Sequence, residues 1–405
     1  YANFNSGNAK IYSDKGFLNI EDWNIEDKEP VFYYDRHDMH INNLLFKDFL
    51  TQDQFQEYNN NPKSKILINY ADDFFTVTDL EAIIRAIKTY QIRTDGIVII
   101  NMDKQVADWV AERLKIWGIT DTKCLHFNQL LKNITPPTID IPPTHKFSIL
   151  SRNYYDWRLE FYLELLKRGI LDNSIYSFHN LKPYNKEGEK EIDIEVVKND
   201  AFQMGFHGEK IKEWLEGVPY DIGAPDQKWA NVTSNCIQSS DIHIIVESHF
   251  DPFLGNIYDR ERQFYPDSNE FAPSFITEKT WKGISCRKPF IMYSTPQHLK
   301  RLQMLGYKTF SPYIDESYDL IEDNKKRFCA IVDEIDRINK LPQKEFIDLI
   351  VNIQPIISHN FKVLMDGITE VSAFESEPIL ESFLPLVDRA AEFGTLSRDN
   401  YKHLL

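Results

Sequence analysis

Short apolar runs alternate with amphipathic stretches along most of the chain. Lys65-Ile66-Leu67-Ile68-Asn69-Tyr70 has the β-branched, apolar make-up of a buried parallel strand, and it passes through Ala71-Asp72-Asp73 into a helical pattern over residues 78–90. Gly96-Ile97-Val98-Ile99-Ile100 repeats the strand signal and residues 103–117 the helical one. This β-α-β-α order predicts a doubly wound parallel sheet. Residues 134–143 then carry Thr135-Pro136-Pro137 and Ile141-Pro142-Pro143, which cannot continue a helix or a central strand and suit a stiff linker between domains.

Beyond that linker the alternation resumes. Residues 146–150 read as a strand, Ser151-Arg152-Asn153 as a turn, and residues 157–168 as an amphipathic helix closed by Gly169. Asp241-Ile242-His243-Ile244-Ile245-Val246 is the next strand, followed by a long loop and a helix starting near Thr277. Residues 289–293 predict a strand, 295–305 a helix ended by Gly306, and 307–310 a further short strand. From 317 to about 364 the pattern is helical, with breaks expected at Pro342 and Pro355. The expected organisation is α/β: an N-terminal domain over residues 1–140, a second over 145–364 and a helical tail over 365–405.

Composition narrows the class. A chain of 405 residues with 42% hydrophobic and 13% aromatic positions can bury more than one core. The formal charge of -16, from 46 Lys+Arg against 62 Asp+Glu, leaves no uniform attraction to phosphate backbones or anionic lipid. Cys124, Cys236, Cys286 and Cys329 form no C-x-x-C pair, so neither a zinc site nor a disulfide framework is expected. Residues 1–20 are polar and lack a signal-peptide core, and no apolar run reaches bilayer length. The expectation is a cytoplasmic protein with no membrane span; for a virus-encoded protein that means the host cytoplasm.

Nucleotide and hydrolase signatures are absent: no G-x-G-x-x-G after a strand, no G-x-x-x-x-G-K-[ST], no H-E-x-x-H and no G-x-S-x-G. There is no D-x-D pair either, the arrangement that holds a nucleotide sugar through a divalent cation. The segment best suited to an anion is Phe275-Ile276-Thr277-Glu278-Lys279-Thr280-Trp281-Lys282. Thr277 can cap a helix whose first N–H groups face an anion, Lys279 adds a mobile positive charge, and Glu278 can accept from a ribose diol. The same pattern also suits an ordinary capped helix. Asp35-Arg36-His37-Asp38-Met39-His40 places His and Asp at alternate strand positions, a pattern that could ligate a metal. It has no second ligand group, so no metal site is assigned, and a cleft-lining or acceptor-contacting role suits it better.

Val246-Glu247-Ser248, the Thr277-Glu278-Lys279 segment and Pro289-Phe290-Ile291-Met292-Tyr293 together resemble the donor-binding motif of alpha-1,3-fucosyltransferases and of related glycosyltransferase-like proteins encoded by bacteriophages. The resemblance covers residues 146 to about 318. It implies a GT-B fold of two facing Rossmann-like domains with C-terminal helices. It also implies inversion at the anomeric centre, a nucleotide-diphosphate sugar as co-substrate, and no obligatory metal or other cofactor. By the same resemblance Glu278 meets the ribose, Lys279 the diphosphate, and Arg152 or, second, Arg158 supplies a phosphate-binding arginine, with Glu247 and Thr277 also on the donor side. Arg152 reads equally as a solvated turn residue, and Arg158 as a helix-surface partner of Glu160 or Glu164. Two departures bear on the sugar: the family has Glu-Asn-Ser where this chain reads Glu247-Ser248-His249, and the loop over 250–274 is longer.

Such a transfer needs a base for the acceptor hydroxyl. Asp73 and Asp72, directly after the strand Lys65–Tyr70, meet that requirement, with Asp103 as rival; an Asp in these places can equally cap the next helix. The leading expectation is a glycosyltransferase acting on a glycan or other hydroxyl acceptor held by the first domain. One alternative acceptor is a hydroxymethylated pyrimidine in DNA, which the negative charge opposes. Another alternative is a sugar- or nucleotide-binding module without catalysis.

Overall fold

The computed structural model describes residues 12–13, 16–17, 31–35, 52–62, 64–70, 77–101, 104–126, 134, 136–137, 141–180, 191–220, 229–247, 250 and 276–373. Two compact units divide the chain, one built mainly on Tyr1–Asn133 and the other on Ile134–Tyr258 and Tyr265–Asp366.

Among the described residues, the first unit holds a six-stranded sheet. Its strands are β1 (Tyr12–Ser13), β2 (Gly16–Phe17), β3 (Val31–Asp35), β4 (Lys65–Tyr70), β5 (Ile97–Asn101) and β6 (Lys123–His126), in the order β2-β1-β6-β5-β4-β3. From β3 to β6 every pairing is parallel, while β1 runs antiparallel to both β2 and β6. The helices are α1 (Gln52–Asn60), α2 (Val77–Thr89) and α3 (Lys104–Ile116). Parallel pairing follows from the crossover helices, which carry the chain back to the same end of the sheet. Ile66 pairs with Ile97 and Ile68 with Ile99, and all four are fully buried. Leu80, Ile83, Ile84 and Ile87 of α2 recur at helical spacing on the face that joins this core, together with Val110 and Leu114 of α3. Each such side chain contributes roughly 1.5–3 kcal/mol on burial.

The second unit is built on β7 (His145–Leu150), β8 (Ser174–Ser177), β9 (Ser240–Val246) and β10 (Phe290–Tyr293), all parallel, in the order β10-β9-β7-β8. Around it lie α4 (Asp156–Lys167), α5 (Ile194–Gln203), α6 (Glu209–Glu216), α7 (Trp229–Gln238), α8 (Glu278–Ser285), α9 (His298–Met304), α10 (Asn324–Asn339) and α11 (Gln343–Ala373). The α/β class and its parallel strands are therefore present in both units.

Three local expectations are corrected. Residues 307–310 form no strand: the backbone N–H of Lys308 donates to Asn360 Oδ1 at 2.7 Å and its carbonyl accepts from Asn360 Nδ2 at 2.8 Å. Phe310 N–H donates to Glu316 Oε1, so side chains take the bonds a neighbouring strand would have made. Pro355 does not break α11, because the apolar positions Ile353, Ile357 and Leu364 bury one face straight through it, while Pro355 itself is exposed. Helix α4 is less amphipathic than expected; Leu159, Phe161, Tyr162, Leu163, Leu165 and Leu166 are all buried, and Gly169 at φ +71 ends the segment.

Candidate functional site

From β7 the chain moves to β8 on one side, then returns to place β9 on the other, so the direction of winding reverses between β7 and β9. In open parallel sheets that reversal opens a crevice at the carboxyl ends of the strands. Two segments emerge there: Ser151-Arg152-Asn153 after β7, and Glu247 after β9. Helix α8 packs against β9. Gly283 makes the approach possible, since a Cβ there would lie 3.1 Å from His243 Cδ2 and 3.2 Å from Ile245 Cδ1.

Thr277 has the extended backbone of an N-cap, φ -92 and ψ 177, and its hydroxyl accepts from Lys279 N–H at 3.3 Å. Beneath the cap, Glu247 is only 1% exposed and takes three donors on one carboxylate. Thr277 N–H donates to Oε1 at 3.2 Å, Thr277 Oγ1 to Oε2 at 2.6 Å, and Thr280 Oγ1 to Oε1 at 2.6 Å. Both hydroxyl contacts are at the short end of the O–H···O range. His298, also buried, sets Nε2 3.9 Å from Glu247 Oε1. Neither of its ring nitrogens has a hydrogen-bond partner among the described residues. Burial pushes this imidazole below its ordinary value; Glu247 pulls the other way and Arg301 adds to the depression.

Arg158 joins the two segments. It is 3% exposed; Nη1 donates to Asn153 O at 2.8 Å and Nη2 to Glu247 O at 2.9 Å. Its guanidinium stands 4.9 Å from the Tyr155 ring centre and 4.8 Å from that of Trp157. The helix-surface ion pair is thus corrected: Glu164 pairs with Arg168 and Lys167, while Arg158 points inward. Arg152 is exposed in the turn after β7, where the sequence places it.

The outward side of the cap is charged. Lys279 Nζ lies 3.3 Å from both Thr277 Oγ1 and Glu278 Oε1. Partial burial pushes the Glu278 carboxyl up, but Lys279, Lys282 and its own backbone N–H outweigh this, so it lies below the ordinary carboxylate value. Lys282 is shifted down, mainly by burial, with Glu278 opposing. The arrangement offers two lysines and one carboxylate at the capped amino end of a helix, beside the carboxyl end of a parallel strand. That set can receive a polyanion and hold a hydroxylated neighbour of it.

The structure therefore brings together Arg158, Glu247, Thr277, Glu278 and Lys279. Asp72, Asp73 and Asp103 lie outside the described residues, as do residues 36–40 of the acidic and histidine cluster. No group of three or more His, Cys, Asp or Glu able to hold a metal occurs among the described residues, and no described helix is long and apolar enough to cross a membrane. Residues the sequence reading passed over are Thr280, Lys282, His298 and Arg327. Thr280, one turn after the cap, carried a visible signal. Arg327 carried none: it is buried among Ser294 O, Ile321 O, Glu322 O and Phe250 O, carbonyls that only the fold assembles.

No protein-family model and no curated protein matches the chain. Solved structures similar to it include two glycosyltransferases. One is the pneumococcal O-GlcNAc transferase GtfA in complex with UDP and GlcNAc, at 9% identity and a TM-score of 0.34 over 80% of this chain and 55% of that one. The other is an alpha1,3-fucosyltransferase, at 9% identity and a TM-score of 0.27 over 88% of this chain and 93% of that one. The chain thus spans about half the length of the first of these structures.

Proposed function

We propose that this chain is a GT-B glycosyltransferase that binds a nucleotide-diphosphate sugar at the carboxyl ends of β7 and β9 and transfers the sugar to a hydroxyl acceptor. The observation that carries the reading is the Thr277 cap of α8 with Lys279 on its first turn, set at the winding reversal and tied through Glu247 and Arg158 to the loop after β7. A diphosphate in this position meets the positive end of α8, the Lys279 ammonium and Arg152 of the neighbouring turn. Glu278, now paired with Lys279, accepts the ribose hydroxyls.

In the transfer step a carboxylate of the first unit, Asp73 or Asp72 with Asp103 as rival, takes the acceptor's O–H proton. The acceptor oxygen then forms a bond to the anomeric carbon as the bond from that carbon to the diphosphate oxygen breaks, inverting the centre. The leaving diphosphate carries away the electron pair and is stabilised by Lys279, Arg152 and the helix end, charges fixed before the reaction begins. These side chains supply the neutralisation that a divalent cation provides elsewhere, so the reaction is proposed to be metal-independent. The motif around Thr277-Glu278-Lys279 supports a fucosyltransferase-like donor mode.

The test is nucleotide release from a panel of nucleotide sugars, with wild type and Lys279→Ala. Turnover of one donor by wild type, with a lower kcat and higher KM in Lys279→Ala, is expected, because Lys279 acts on the bound donor and on the leaving group. Binding without turnover across the panel assigns a non-catalytic module instead.

A further inference from the structure

The Thr277 hydroxyl has one hydrogen and two lone pairs. Glu247 fixes which way they face. A carboxylate only accepts, so the 2.6 Å contact commits the hydroxyl's hydrogen to Glu247 Oε2. Both remaining contacts of that oxygen are to Lys279, whose backbone N–H and ammonium each lie 3.3 Å away. The oxygen is therefore an acceptor toward Lys279 on both counts. Glu247 cannot turn aside, since Thr280 Oγ1 and Thr277 N–H hold its other oxygen and Arg158 holds its backbone carbonyl.

We propose that Glu247 is a positioning residue, which acts through the Thr277 hydroxyl to hold the Lys279 ammonium at the end of α8. This rests on the reading of α8 as the diphosphate site, and it gives Glu247 a role without ligand contact: its carboxylate is buried and faces the threonines. A buried acidic residue at this point would otherwise be an odd neighbour for an anion. Here three donors hold the carboxylate beneath the cap, and the Lys279 ammonium is the charged group on the outward side.

The relay makes Glu247, Thr277 and Lys279 act as one unit, which a double-mutant cycle reads directly. Binding of GDP, UDP and inorganic pyrophosphate is measured calorimetrically for wild type, Lys279→Ala, Thr277→Val, Thr277→Ser and the Thr277→Val/Lys279→Ala pair. Glu247→Gln is added because its amide presents a donor where the hydroxyl needs an acceptor. Thr277→Val keeps the shape of the cap and removes the oxygen; Thr277→Ser restores the oxygen. The expected result is about tenfold weaker binding in Lys279→Ala, a similar loss in Thr277→Val and Glu247→Gln, near wild-type affinity in Thr277→Ser, and a pair no weaker than Lys279→Ala alone.

Strictly additive losses, or wild-type affinity in Thr277→Val, overturn the relay and leave the diphosphate site standing. Lys279→Ala binding all three probes as well as wild type overturns the site, and the relay with it. Wild-type affinity in Glu247→Gln also overturns the relay; should that variant fail to fold, Glu247→Asp, which draws the carboxylate back from the Thr277 hydroxyl, takes its place with the same expected loss.

Discussion

In the first unit, β4 and β5 press Ile66, Ile68, Ile97 and Ile99 against apolar positions of α2 and α3, and the buried polar groups among its described side chains include Ser64 and the Tyr58 hydroxyl, which donates to Arg93 O. The sheet of the second unit buries Ser148, Ser240 and His243 in its interior and Arg158, Glu247, Thr277 and Thr280 at its carboxyl edge. Burying them costs desolvation, which only well-made hydrogen bonds offset. In the second unit those bonds end on the groups that fix strand-end loops and a helix cap: Asn153 O, Glu247 O, Thr277 and Thr280. Apolar burial supplies stability wherever it occurs, whereas directed polar burial fixes the position of particular atoms.

Substitutions that remove one kind of burial at a time sharpen this contrast. Ile99→Ala deletes a fully buried side chain and is expected to cost about 2–5 kcal/mol. Hydrogen exchange then quickens across β4 and β5, while the affinity of the folded protein for a nucleoside diphosphate changes by less than about twofold. Arg158→Met keeps bulk but leaves the buried Glu247 carbonyl and the partly buried Asn153 carbonyl without their charged donor, a loss of about 3 kcal/mol. In this case exchange quickens in β7 and β9 and diphosphate affinity falls as well, by about tenfold, because the two strand-end segments are no longer joined. Equal effects of the two substitutions on affinity would erase the distinction.

A smaller effect concerns His243. Its Nδ1 lies 2.9 Å from Ser148 Oγ, whose oxygen also accepts from Ser240 at 2.8 Å. Burial pushes the imidazole down to about 4; the Ser148 carbonyl opposes this and Lys282 reinforces it. Between about 4 and the ordinary 6.5 the unfolded chain binds a proton that the folded state refuses, so stability falls as pH falls through that window. The slope approaches ~1.4 kcal/mol per pH unit for one group. Glu316 and Asp319, raised by burial to about 7 and about 6, act in the opposite sense, with stability falling as pH rises toward those values. The comparison is therefore wild type against His243→Leu in urea melts at pH 7 and pH 5. The variant should lose less stability on acidification; an equal loss removes His243 from the account.

Much of this molecule was legible in the chain. Strands such as Lys65–Tyr70 and the cap at Thr277 are local events, set by β-branched runs and by a hydroxyl preceding a helix. What could not be read depends on distant groups. Arg158 looks like a surface residue of an amphipathic helix until Asn153 and Glu247, 89 positions away in the second case, supply carbonyls for it. Residues 307–310 look like a strand because they are extended, and Asn360 of α11 determines that no strand pairs with them. Pro355 marks a break by local rules, but burial of Ile353, Ile357 and Leu364 overrides the single lost hydrogen bond. The site followed the same division: Thr277, Glu278 and Lys279 are contiguous and visible, whereas His298 joins them only through the fold.

A crystal structure of the chain with GDP or UDP tests the central claim most directly. The account predicts a diphosphate within hydrogen-bonding distance of Lys279 Nζ at the amino end of α8, with the ribose against Glu278. A nucleotide seated elsewhere, with Lys279 directed to solvent, would contradict it.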